Sequence, residues 1–200
     1  MSPGAIFERV YLALRDELRS GRHPPGAHLE PAALADALNA SITPVRDALH
    51  RLVGERLVEA PRGDGFRTPM ITEMGLRHLY DWIAALLRSA IPHGGLTADD
   101  PGAGGPETPA DWLRAIAAVA ANPEQRAAIE QLLDRLAPYA PAERNVLGTA
   151  DEAEAQTWRD AAVAVSPVPL RRAIAEHFRR RRRAAHLVVA ALHALASDPP

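Results

Sequence analysis

The stretch Ser41-Ile42-Thr43-Pro44-Val45-Arg46-Asp47-Ala48-Leu49-His50-Arg51-Leu52 decides the fold. Val45, Ala48, Leu49 and Leu52 fall at i, i+3, i+4 and i+7, the spacing of one buried helical stripe. Arg46, Asp47, His50 and Arg51 fall on the opposite face. Thr43 is read as the N-cap and Pro44 as the first helical residue, where a missing N–H costs nothing. Immediately before, Glu30 to Leu38 has the pattern of a short amphipathic helix, and Asn39-Ala40-Ser41-Ile42 reads as a tight turn. Downstream, Leu57 to Ala60, the turn Gly63-Asp64-Gly65 and Phe66 to Met70 predict a small β-hairpin. Two short helices and a hairpin in this order make a winged helix-turn-helix. A helix anchored on one face and offering Arg and His on the other suits the major groove of DNA.

Three ordered motifs over residues 5–72 resemble the GntR family of transcriptional regulators. Ser20-Gly21-Arg22-His23-Pro24-Pro25-Gly26-Ala27-His28-Leu29 is similar to the family's opening "sGrlxPGxxL". Ser41-Ile42-Thr43-Pro44-Val45-Arg46-Asp47-Ala48-Leu49 is similar to its "SrtPVReAL", and Gly65-Phe66-Arg67 to its wing "GfrV". The resemblance implies DNA-binding roles for Ser41, Thr43, Arg46 and Gly65, the positions that match. Arginines usual before the first reading helix and after the turn serine are replaced by Ala32 and Ile42, and a basic wing-tip residue by Asp64. The helix face and hairpin add His50, Arg51, Arg62 and Arg67 as candidate contacts. Arg46 is read as a guanine or phosphate contact, and His50 equally as a base contact or as surface cover.

Composition narrows the function classes. The 200 residues suit one or two domains. No apolar run approaches the ~18 residues of a membrane span. The first residues lack the order of a signal peptide, so the expectation is cytoplasmic. With no cysteine, thiol catalysis, disulfides and Cys-type zinc sites are excluded. All basic residues are arginine; without lysine, the pyridoxal-phosphate domain of some GntR regulators has no Schiff base. There is no glycine-rich phosphate loop after a strand, no HExxH and no GxSxG, so no enzyme is expected. Residues 1–72 hold nine Arg against nine Asp plus Glu. A neutral domain needs a locally basic face to neutralise phosphates.

Alanine forms about a fifth of the chain and aromatics only 4%, which favours helix. Helices are predicted at Ala5 to Ser20, from a Thr72 cap to about Ile91, and over about Ala110–Ala121, Pro123–Leu136, Asp151–Val165 and Pro169–Ala196. Residues 92–109, rich in Gly, Pro and Asp, read as a loop. The fold class is therefore mainly α: a winged helix-turn-helix over 1–72, then a helical bundle over 73–200 serving effector binding and dimerisation.

This second half resembles the helical FCD domain of FadR-like GntR regulators, through Leu79 to Leu87, Trp158 to Leu170 and His186 to Asp198. The resemblance places an effector pocket around Trp82, Ile83, Leu87, Trp158, Arg159 and His186. Its departures are larger than its matches. Ile83 and Leu87 stand where the family has polar pocket residues, and Ala155 and Arg159 where its DxxxH metal pair belongs. Metal, cofactor and metal-held dicarboxylate are accordingly not expected; the implied effector is apolar or amphipathic. Trp82, Trp112 and Trp158 are read as core, with cavity lining the sharper alternative. Arg179 to Arg183 circle the helix axis and are read as solvated or paired to acidic helices, with a second phosphate contact as alternative. His186 and His193, about 10 Å apart along one face, are read as core or surface.

The expected function is a dimeric, sequence-specific repressor of an inverted-repeat operator. The alternative is a degenerate relative acting as a protein-interaction module with residual DNA affinity.

Overall fold

The computed structural model describes residues 3–92, 108–148, 150–162 and 166–197. Most of the stretch predicted as a loop at 92–109, and the last residues of the helix expected to reach Val165, lie outside the described residues. The described chain is mainly α, as expected. In order it forms α1 (Pro3–Arg19), α2 (Pro31–Ala37), α3 (Ile42–Gly54), α4 (Glu73–Ala90), α5 (Pro109–Ala118), α6 (Pro123–Leu136), a 3-10 turn (Ala137–Tyr139), α7 (Ala140–Leu147), α8 (Ala150–Ala162) and α9 (Val168–Ser197). The 3-10 turn and α7 are not foreseen by periodicity. Pro138 and Pro141 each stand in a first turn, where a missing N–H breaks no bond.

The described residues form two compact units. One lies within Met1–Ile71, Asp134–Pro141 and Ala190–Pro200, the other within Thr72–Leu133 and Ala142–Val189.

In the first unit, Val10, Leu14 and Leu18 of α1, Leu34 and Ala35 of α2, and Val45, Ala48, Leu49 and Leu52 of α3 close on one core with Leu29, Leu57, Val58 and Phe66. The stripe predicted for α3 is fully buried. The turn before it follows from Asn39, which takes a left-handed φ of 47°. There the N–H of Ala40 reaches the carbonyl of Ala35, and that of Asn39 the carbonyl of Asp36. This closes α2 as a Schellman turn, with Asn in a conformation it tolerates. The helix α3 begins two residues earlier than predicted, with Ser41 as N-cap rather than Thr43. Pro44 remains harmless because it still lies among the four donors without intrahelical partners.

The predicted hairpin is reduced to single bridges. Glu59 and Arg67 exchange both backbone hydrogen bonds at 2.8 and 2.9 Å, and the N–H of Leu29 reaches the carbonyl of Phe66 at 2.8 Å. No continuous strand forms among the described residues. Pro61 and Pro69 bracket the pair, and neither donates to a ladder, so pairing stops at one residue on each side. The wing survives because Thr68 ties it down: its hydroxyl donates to the Pro24 carbonyl at 2.6 Å and accepts from the Ala27 N–H at 3.0 Å.

In the second unit, Thr72 caps α4 by accepting from the N–H of Gly75. Thr108 and Asp111 form a reciprocal capping box on α5. The core takes Leu76, Tyr80, Ile83 and Leu87 from α4, Ile116 from α5, Ile129 from α6, Trp158 from α8 and Leu170, Ile174 and Phe178 from α9. In the part of α9 that belongs to this unit, the predicted stripe is buried at Leu170, Ile174, Phe178, Ala185 and Val189.

Candidate nucleic-acid interface

With its inner stripe buried, α3 has its orientation set by the core, and Ile42, Thr43, Arg46, Asp47, His50 and Arg51 are left exposed. The first turn of α3, the start of α2 and the tip of the wing border an open groove of about 550 Å³. Ile42 and Arg46 line it from α3; His28, Glu30, Pro31 and Ala32 from the chain entering α2; and Gly63, Asp64, Gly65 and Phe66 from the wing. Gly63 and Gly65 hold positive φ of 79° and 68°, which lets the tip turn within three residues.

The predicted contacts separate into two groups. Arg46 is exposed and meets no carboxylate within ion-pair distance among the described residues, although Glu30 and Asp64 line the same groove. Ser41 is exposed and its hydroxyl makes no capping bond, so it is left for an incoming acceptor. Arg62 is exposed beside the wing tip, and Thr43 on the first turn of α3. Arg51 and Arg67, by contrast, are held within the protein. The Arg51 guanidinium lies 3.7 Å from the ring centre of Tyr11 and pairs with Glu8 at 3.4 Å and Glu55 at 3.3 Å. Arg67 pairs with Glu59 at 3.1 Å and Asp64 at 3.6 Å. His50 is exposed, with its ring edge-on to Phe66 at 4.9 Å. Of the sequence candidates, the structure brings Arg46 and Gly65 to one groove and turns Arg51 toward α1.

The six residues placed in an effector pocket do not share a space. Ile83, Leu87 and Trp158 are fully buried core, whereas Arg159 and His186 are exposed. Trp82 is 55% exposed, which corrects its reading as core. The stripe of α4 runs through Leu79, Tyr80, Ile83 and Leu87, and residue 82 stands to one side of it. Trp112 and Trp158 are buried.

What lies inside the helical unit instead is a polar cluster that periodicity alone does not single out. Tyr80 donates to Glu143 at 2.6 Å, and Arg181 donates to Glu143 at 3.0 Å and pairs with Glu154 at 3.4 Å. His177 lies 2.8 Å from Glu154 through Nδ1 and packs edge-on against Trp158 and Phe178. Burial pushes the His177 imidazole down to about 4, against the pull of Glu154, with the nearby arginines adding to the depression. Burial also works against the Glu154 carboxylate, but the hydrogen bond from His177 and the adjoining cations outweigh it and hold Glu154 at about 2. A neutral His177 therefore donates Nδ1–H to an ionised Glu154. The 3.0 Å approach of Arg181 to the same nitrogen is then a contact rather than a hydrogen bond. Around this cluster, Arg180 pairs with Glu154, Arg179 with Glu176 and Arg182 with Asp81. The legible signal was a His and an Arg at the i+3 and i+7 places of the stripe that begins at Ile174.

This cluster does not fit a resident metal. Its buried carboxylates already face the Arg181 guanidinium, and Arg159 stands where the resemblance requires a histidine.

Residues 6–67 match the family described as bacterial regulatory proteins, gntR family. Among solved structures the chain is similar to E. coli McbR/YncC, at 21% identity and a TM-score of 0.72, over 90% of this chain and 97% of that one. It is similar also to the GntR structure from Rhodococcus sp. RHA1, at 16% identity and a TM-score of 0.70, over 90% and 97%. At these identities the likeness is one of fold. No curated protein sequence matches the chain. Among the described residues, no helix is long and apolar enough to cross a membrane.

Proposed function

We propose that this chain, whose residues 6–67 belong to the gntR family of bacterial regulatory proteins, is a dimeric repressor that reads an inverted-repeat operator with α3. The observation that carries the reading is Arg46: an exposed guanidinium, unpaired among the described residues, on a rigidly anchored helix beside a groove open to the wing. Ser41, Thr43, Arg62 and Gly65 are the further contacts it involves. Arg51 and Arg67 act within the protein, where their ion pairs hold α3 against α1 and brace the wing.

Dimerisation follows from arithmetic. One winged domain that is neutral over residues 1–72, with two of its arginines tied down, offers few phosphate contacts, and specific affinity at physiological salt needs more. Two copies on one inverted repeat supply it through effective concentration. Residues 73–200 are assigned the pairing role. Trp82, a large aromatic half out of the fold on α4, is the kind of side chain that anchors such a contact.

Selection of bound duplexes from a random pool tests the reading. An enriched inverted repeat, bound in a salt-sensitive and competitor-resistant manner, supports it. Retention with no sequence preference would favour a protein-interaction module with residual DNA affinity, the reading that the neutral charge of the domain favours.

A further inference from the structure

The geometry points to Ile42 as a specificity-determining residue that reads the 5-methyl group of a thymine beside the base contacted by Arg46. The inference rests on the DNA-binding reading and extends it from the element that binds to the sequence that is bound.

Ile42 is the first residue of α3 and is 48% exposed, one of the few large apolar side chains the first unit leaves outside its core. It lines the same groove as Arg46, four residues on, so the two stand one turn apart on nearly the same helical face. Across the groove Glu30, Ala32 and the wing-tip residues Gly63, Asp64 and Gly65 are exposed, while the apolar Leu29 and Phe66 that also line it are buried in the core, and Ile42 itself stays half exposed. An isoleucine here does nothing for phosphate, having neither charge nor donor. It also sits at the end of a recognition helix from which side chains reach base edges. In the major groove the apolar group a base edge offers is the thymine methyl, whereas Arg46 has the fork that matches guanine O6 and N7. Four residues of helix rise about 6 Å, under two base steps of ~3.4 Å each. The half-site therefore carries a thymine and a guanine no more than two base pairs apart.

The test starts from the operator selected by the full-length protein. Deoxyuridine is then placed at each thymine of the half-site, which removes the methyl and leaves base pairing intact. At the thymine next to the Arg46-dependent guanine, wild-type affinity is expected to fall about three- to tenfold, consistent with losing one buried methyl contact or slightly more. The Ile42→Ala protein, with circular dichroism unchanged, is expected to bind the thymine operator weaker by a similar factor. It should bind thymine and uracil operators alike, because the contact has already been lost. Ile42→Val should keep most of the discrimination. An enriched operator on which wild-type protein treats uracil and thymine equally at every half-site position overturns the assignment of Ile42 and leaves the DNA-binding reading standing. Discrimination that persists undiminished in Ile42→Ala also overturns it. A selection that enriches no sequence overturns both.

Discussion

Arginine does opposite work in the two units. In the first, Arg46 stands exposed on α3 beside a groove, on a helix whose inner stripe is buried in the apolar core. In the second, Arg181 is 7% exposed and is held between Glu143 and Glu154, with its neighbours Arg180 and Arg182 paired to Glu154 and Asp81. Four of the five consecutive arginines, Arg179 to Arg182, are paired to carboxylates, whereas the isolated Arg46 meets none among the described residues. A cation is available to a ligand only where the fold has not already matched it, and the number of cations in a row says little about that.

The sharpest way to break this comparison is Arg181→Ala. Removing the guanidinium takes from buried Glu143 and Glu154 the cation they share, so the helical unit should lose about 3–5 kcal/mol of stability in chemical denaturation. A loss below 1 kcal/mol would mean that water replaces the arginine and that the cluster is not buried in the sense described.

A pH titration probes the same cluster without mutation. His177 has a folded pKa of about 4 against an ordinary 6.5, so the unfolded chain takes up the proton first, and stability falls as pH drops from about 6.5 toward 4. Glu154 has a folded pKa of about 2 against 4.5, so its contribution is present above 4.5 and is lost as pH falls from there toward 2. Together they should remove a few kcal/mol between neutral and strongly acid pH. His177→Gln should flatten the limb between 6.5 and 4 and also shrink the lower one, because His177 is among the groups that hold Glu154 low; an unchanged upper limb would assign it to another group.

On the opposite side of the comparison, Arg46→Ala should cost about 1–3 kcal/mol of operator affinity and relax one operator position. Stability should stay within ~0.5 kcal/mol, as for surface substitutions generally. Arg51→Ala, one turn further along α3, should show the reverse: up to about 1 kcal/mol of stability lost with its ion pairs and its stacking on Tyr11, with operator affinity nearly unchanged. Equal affinity losses in the two variants would show that the pairs of Arg51 open on DNA. The smallest expected effect is that of a chelator, which should leave the melting temperature unmoved. Stoichiometric zinc, nickel or manganese that stabilises the fold would refute the reading of the cluster as closed by Arg181.

Much of the architecture was legible from local pattern. The stripe of Val45, Ala48, Leu49 and Leu52, the cap at Thr72 and the α6 boundaries at Pro123 and Leu136 follow from spacing and from residues that end or begin helices, properties carried by a few neighbouring letters. Where local signals compete, the sequence misled: Thr43 before Pro44 reads as the cap, yet Ser41 holds that place. Trp82 reads as core by its aromatic character, yet it lies to the side of the α4 stripe and stays exposed, so position outweighs side-chain type there.

The sequence by itself determined which face α3 buries and which it offers, because burial on one side of a helix follows from period alone. Only the tertiary structure decided which of the offered cations are free. Arg51 is taken by Glu8, 43 positions earlier, while Arg46 on the same face is not. Arg181 meets Glu143 and Glu154, 38 and 27 positions away. Such pairings depend on where distant helices cross, and an ion pair is settled over a few ångströms that no local period encodes.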